Sequence, residues 1–301
     1  MIRLSCIIAI IWAATTVYSQ DLQLVTDIGT SAQMVGIGHI EGFDSTAAGL
    51  FENPASLIHW HPVSASLFLT RTLQDVNYGN VAVQFKLPVG NLAIGLMEAS
   101  VGGLPVTFRN SIGRVDQAGT FAFRSLISKV AYQWPVLDSL HAGIGFNYYY
   151  SDAYTSYANG WNADFGLFSE IGDWRFSSVL KNVLANQRLT YSSGGDATIP
   201  GKWMVSGSYA QDRLEWYGQL EASRLTDFLK AVGLLYYVAK RHRYLFVSTG
   251  IREFYINDVK RLEVPVGLGL ELDALSLYVA YSRADYIDDP NHYYFSLSAD
   301  L

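Results

Sequence analysis

Beyond residue 60, apolar and polar positions alternate in short runs that end at Gly, Asn, Asp or Pro. In 140–150, Leu140, Ala142, Ile144, Phe146, Tyr148 and Tyr150 share one face of an extended chain, and His141, Gly143, Gly145 and Asn147 share the other. One face suits lipid and the other a polar, crowded interior. The next run repeats the pattern: Trp161, Ala163, Phe165 and Leu167 oppose Asn162, Asp164, Gly166 and Glu170. Later, Leu262, Val264, Val266, Leu268 and Leu270 alternate with Glu263, Pro265, Gly267, Gly269 and Glu271. Pro265 removes a ladder donor, so a bend or bulge is expected there.

The same reading places strands near 62–72, 77–88, 91–100, 119–133, 139–150, 160–171 and 173–185. A second set follows near 201–211, 213–223, 228–240, 243–252, 261–271, 274–283 and 292–301. The total is about fourteen, an even number suited to an all-β, antiparallel up-and-down transmembrane barrel.

Connection lengths supply an independent test, because such barrels have short turns at one end and long loops at the other. Every second connection is short: Pro88 to Asn91, Trp134 to Asp138, Gly172 with Asp173, Gln211 with Asp212, Arg241 with His242, and Leu272 with Asp273. Most of the others are longer and polar: Val101 to Ala118, Ser151 to Asn159, Asn186 to Pro200, Glu253 to Lys260 and Ala284 to Asn291. Arg224 to Asp227 is the brief exception. A soluble sandwich would show alternation without this rhythm. The parity puts both termini on the short-turn, periplasmic side of a bacterial outer membrane.

Arg3, the apolar run Ile7 to Ala14, and Val17 and Ser19 make residues 1–19 a cleavable secretory signal. The apolar run is well short of the roughly 20 residues that a spanning helix needs. The only cysteine, Cys6, lies inside that signal, so the mature chain has no thiol. The formal charge of −6 argues against a nucleic-acid partner. Tyr148 to Tyr150 with Tyr154 and Tyr157, Trp134, Trp174, and Tyr293 with Tyr294 gather near strand ends, where a barrel carries aromatic girdles.

The chain ends on a strand with Tyr293, Phe295, Leu297, Ala299 and Leu301 on one face. This resembles the terminal signal read by the barrel-assembly machinery, with Leu301 where Phe is usual. Barrel and assembly signal together give residues 61–301 outer-membrane lipid and that machinery as expected partners.

Residues 20–60 do not alternate. A Gly-rich stretch, Gly29 to Gly42, leads to Asp44-Ser45, a helix N-cap for Thr46 to Phe51, and Asn53-Pro54 stops that helix. The segment is expected to plug the lumen, where irregular backbone is shielded from lipid.

Gly29, Ala32, Gly36 and Gly38, then Asp44, Ala47, Leu50, Phe51, Asn53, Pro54, Ala55 and Leu57 resemble the start of PorV/PorQ outer-membrane proteins, relatives of FadL-like transporters. Glu52 stands where that family has an aromatic residue, and Ser56 where it has Gly. The resemblance implies a fourteen-stranded barrel with a plug motif at Gly36, Gly38, Asp44, Asn53, Pro54 and Ala55. It also implies a non-catalytic accessory of type IX secretion that binds secreted cargo or translocon components, or else a FadL-like transporter of hydrophobic small molecules. In the transporter reading Phe168 or Tyr217 would line the pocket; a third reading is a purely architectural plugged barrel.

Other chemistry is weak. Gly36-Ile37-Gly38 lacks the spacing of a dinucleotide fingerprint. His59 and His61 have no third ligand nearby, and Asp285, Asp288 and Asp289 read as a solvated acidic loop. The run Lys240, Arg241, His242 and Arg243 sits at a turn where headgroups or water satisfy it. His141 and Asp164 lie on neighbouring luminal faces without a nucleophile. No cofactor, metal or enzymatic activity is expected.

Overall fold

The computed structural model describes residues 28–58, 61–72, 76–223, 228–240, 244–256, 259–283 and 291–301. Seventeen strand segments form one closed antiparallel sheet: β1 (Val63–Thr72), β2 (Val76–Lys86), β3 (Asn91–Arg109), β4 (Val115–Leu137), β5 (Leu140–Ala153), β6 (Ser156–Ile171), β7 (Trp174–Lys181), β8 (Arg188–Tyr191), β9 (Asp196–Thr198), β10 (Lys202–Gln211), β11 (Leu214–Ser223), β12 (Leu229–Lys240), β13 (Tyr244–Ile256), β14 (Val259–Glu263), β15 (Val266–Glu271), β16 (Leu275–Arg283) and β17 (Asn291–Asp300).

Three of these segments add no stave. The short β8 and β9 form a hairpin between β7 and β10, which pair directly. β14 and β15 are one stave broken at Val264-Pro265, and both pair with β13. The missing N–H of Pro265 accounts for the break. Fourteen staves remain, and β17 closes on β1 from Ser64↔Asp300 to Arg71↔Tyr293.

The alternation sorts the wall as the sequence indicates. Ile144, Phe146, Tyr148, Trp161, Phe165 and Leu167 are exposed outward, while Gly143, Gly145, Asn147, Asn162, Asp164 and Gly166 are buried inward. On β17, Tyr293 and Phe295 are exposed and His292, Tyr294, Ser296 and Ser298 are buried. Gly172 (φ 61°) and Asp212 (φ 53°) adopt the left-handed conformation that such tight turns require.

The long connections differ from the expected loops. Val101 to Ala118 is mostly strand: β3 and β4 run on past the last partners on β2 and β5, Asn77↔Ser100 and Phe123↔Ala153, as a two-stranded ribbon with its tip at 110–114. Ser151 to Asn159 shrinks to the turn Tyr154-Thr155, and 186–200 contains the β8–β9 hairpin. Outside the wall a strand no longer separates lipid from lumen, and bulges at Val101/Leu104 and Val106/Thr107 break the two-residue count although the backbone pairing continues.

Among the described residues two short helices, α1 (Ala32–Gly36) and α2 (Gly49–Glu52), and a 3-10 turn over Pro54–Ser56 lie inside the ring. Ser31 caps α1 by accepting from Met34 N at 3.2 Å, a short helix hidden within the Gly-rich stretch. The expected helix over Thr46 to Phe51 is present only from Gly49. Asp44 Oδ1 accepts from Thr46 N at 2.8 Å and so caps the turn that precedes it.

The signal segment 1–19, His59, Arg241 to Arg243 and Asp285 to Asp289 lie outside the described residues.

Candidate functional site: the plugged lumen

Polar side chains on the inner wall fasten the internal segment by its backbone. Near the loop end, Tyr78 OH donates to Gly29 O at 2.7 Å and Asn80 Nδ2 to Thr30 O at 2.8 Å. At mid-height Ala32 N donates to Ser296 Oγ at 2.7 Å, and Glu41 N to Gln219 Oε1 at 2.8 Å. Toward the turn end Gln84 Nε2 donates to Leu57 O at 3.2 Å. The described chain therefore starts at the loop end of the lumen and descends to the turn end before entering β1. Parity fixes the ends of the wall at the turn end but does not place residues ahead of Ile28 there.

The motif residues occupy the tightest contacts. Asn53 Oδ1 accepts from Ala55 N at 2.9 Å and so caps the 3-10 turn. Its Nδ2 donates to Ser177 Oγ at 2.8 Å and Leu167 O at 3.0 Å. Pro54 lies over Gly143, where an added Cβ would stand 2.3 Å from the Pro54 carbonyl carbon. Gly36 lies beside Gly267 and Gly38 beside Gly250, so glycines of segment and wall face each other. These wall glycines carry no local turn signal, and their role shows only once the segment is inside.

Glu52 is buried and binds three parts of the plug: Thr30 Oγ1 donates to Oε1 at 2.8 Å, and Gly42 N and Asp44 N reach Oε2 at 2.7 and 3.5 Å. Burial, with the nearby Asp44 and Glu41 charges, pushes its carboxyl up to about 8.

Above the plug a small cavity is lined by Phe51, Met97, Ile127, Tyr149, Ile199 and Pro200 on its apolar walls. Its polar wall is a set of satisfied ion pairs. Lys129 Nζ meets Asp164 Oδ2 at 2.6 Å; Asn147 Nδ2 and Asn182 N donate to Asp164 Oδ1 at 2.9 and 2.8 Å; Lys181 pairs with Glu41. The β8–β9 hairpin covers part of the mouth. Leu189 and Ile199 are buried, and Asn182 Nδ2 donates to Pro200 O at 2.9 Å.

The inner face of the β3–β4 pair continues this apolar lining upward. Register places Met97 beside Ile127, Ala99 beside Ser125, Val101 beside Phe123, and Leu104 beside Phe121. Val106 and Phe108 follow on the same side of β3, where Phe108, beyond a second bulge at Val106/Thr107, stands beside Asp116. Across the bulge at Val101/Leu104 the outward face changes from apolar to mixed. Within the barrel it carries Ile94, Leu96 and Val130, whereas on the ribbon it carries Thr107, Arg109 and Thr120 together with Pro105 and Val115. The Arg124–Glu98 pair at 2.6 Å marks the change.

Phe168 and Tyr217 are buried inward, but both pack on Phe43 of the plug, at 6.3 and 5.6 Å between ring centres, rather than lining this cavity. His141 and Asp164 are not brought together: His141 Nδ1 lies 2.8 Å from Gln133 Nε2, and Asp164 serves Lys129. Among the described residues no cluster of metal-binding side chains occurs.

The architecture is therefore that of a fourteen-stranded barrel closed around an internal segment. It is similar to the P. putida toluene transporter TodX (TM-score 0.66, 10% identity, 91% of this chain and 99% of that one) and to the CymD monoaromatic hydrocarbon channel (0.59, 12%, 91% and 98%). At these identities the likeness establishes the fold. No family model matches the sequence. No curated protein matches it either.

Proposed function

We propose that this chain is an outer-membrane barrel that passes hydrophobic small molecules through its lumen, in the manner of FadL-like transporters. The observation that carries the reading is the apolar lining of the cavity, Phe51, Met97, Ile127 and Ile199, with Val101, Leu104, Phe121 and Phe123 above it on the β3–β4 pair. A solute partitioning onto such a face exchanges water for apolar contact at each step. The fold shared with two hydrocarbon channels supports the same choice.

In this reading residues 1–19 direct export, the short-turn end faces the periplasm, and the lumen binds and releases solute without chemistry. The secretion-accessory reading rests on the resemblance of residues 29–57 alone, and nothing in the fold adds to it.

The test is uptake of labelled toluene by intact cells whose outer membrane contains the full chain. Ile127→Asp, which puts a charge on the apolar wall, is expected to lower uptake severalfold while the barrel stays folded. Equal uptake by cells lacking the chain, by wild type and by the variant would sink the reading.

A further inference from the structure

We propose that the cavity selects a hydrophobic solute carrying one neutral hydroxyl, a simple phenol rather than a bare hydrocarbon, and that Lys129 and Asn147 hold that hydroxyl. This rests on the lumen being a conduit and names the chemistry of its solute.

The sheet register sets the two residues side by side. Lys129 on β4 is the partner of Asn147 on β5, and side chains so paired start about 5 Å apart on one face of a sheet. Both are buried, and both line the cavity. One carboxylate orients them: Asp164 Oδ2 accepts from Lys129 Nζ at 2.6 Å, and Oδ1 accepts from Asn147 Nδ2 at 2.9 Å. Because a carboxylate only accepts, the amide must turn its nitrogen toward Asp164 and its oxygen away.

That oxygen is left without a donor. Asn147 Oδ1 is shielded from water and accepts no hydrogen bond. The neighbouring phenol of the chain cannot supply one, since Tyr149 OH donates to Asn182 Oδ1 at 2.5 Å. Lys129 has the opposite surplus, because Asp164 Oδ2 takes only one of the three N–H groups of an ammonium.

A hydroxyl answers both needs at once. Its proton goes to Asn147 Oδ1, its oxygen accepts from Lys129 Nζ, and its hydrocarbon body lies against Phe51, Met97, Ile127 and Ile199. A bare hydrocarbon covers the apolar wall and leaves the amide oxygen unpaired. An acid fits worse than a hydroxyl. Lys129 is neutralised by Asp164, Lys181 by Glu41, and Lys202 by Glu221 at 3.0 Å, so a carboxylate would have to displace a buried partner.

The experiment is isothermal titration of the detergent-solubilised full chain with p-cresol, toluene, p-methylanisole and p-toluate, the heats from micelles alone being subtracted. A purely apolar wall would bind p-cresol less tightly than toluene, because the hydroxyl must leave water for nothing. The expected order is the reverse, with p-cresol at least about tenfold tighter than toluene. The anisole keeps the oxygen but has no O–H, and it is expected to bind no more tightly than toluene. Asn147→Leu is expected to abolish the preference for p-cresol. Toluene or the anisole matching p-cresol overturns the assignment, as does tighter binding of p-toluate or an unchanged preference in the variant. Should the variant fail to fold, the wild-type affinities decide alone. Toluene uptake by cells separates the two readings, since normal uptake without a preference for p-cresol removes the hydroxyl site and leaves the conduit.

Discussion

Asn53 Oδ1 lies where Gly166 has no side chain, 1.8 Å from the place a Cβ would take. Motif and wall are thus two halves of one fit. Gly166→Ala is expected to unseat the turn at Pro54 and cost about 1–3 kcal/mol. Gly218→Ala, where nothing lies within 4 Å, is expected to change little. Chemical unfolding of the two variants side by side checks this, and equal midpoints would refute it.

Asn53→Ala removes the cap on Ala55 and the bonds to Ser177 and Leu167. The expected loss is about 2 kcal/mol or more in plug docking. Limited proteolysis should cut near the plug while the barrel keeps its heat-modifiable migration on gels.

Lys129→Met strands the buried Asp164 carboxylate and is expected to cost about 3–5 kcal/mol. Adding Asp164→Leu should recover only part of that loss, because both charges are then gone but Asn147 Nδ2 and Asn182 N lose their acceptor. A double-mutant cycle in thermal unfolding measures the difference.

On the ribbon, Phe108→Ser with Phe121→Ser should slow toluene uptake severalfold, whereas Thr107→Ser with Thr120→Ser on the opposite face should not. Equal rates would show that the inward face takes no part in capture.

The wall was legible from residues because a barrel imposes one rule on every stave: the run from Leu262 to Leu270 must show one face to each side, and even its break at Pro265 is written in the missing donor. Where that rule lapses the sequence went silent. Leu104, Val106 and Phe108 belong to a strand that leaves the wall, and an Asn186 to Pro200 connection hid a paired hairpin. The plug was readable as irregular, with a cap at Asp44 and a helix stop at Asn53-Pro54; that Asn53 caps the turn beyond it was not. The wall glycines that receive it, Gly143, Gly166 and Gly250, are known only through contacts formed far along the chain. A pocket was expected, but with Phe168 or Tyr217 in its wall; its lining was missed for the same reason, since Met97, Ile127 and Tyr149 come from three staves and Phe51 from the plug.

The bond between Ala32 and Ser296 spans 264 positions and joins the internal segment to the last stave. Its partner is synthesised near the end of the chain, and β17 is also the stave that seals against β1. Biogenesis must therefore bring the early segment between the growing hairpins before the final seam zips. A cylinder that closed empty would have to be threaded past glycines with no room to spare.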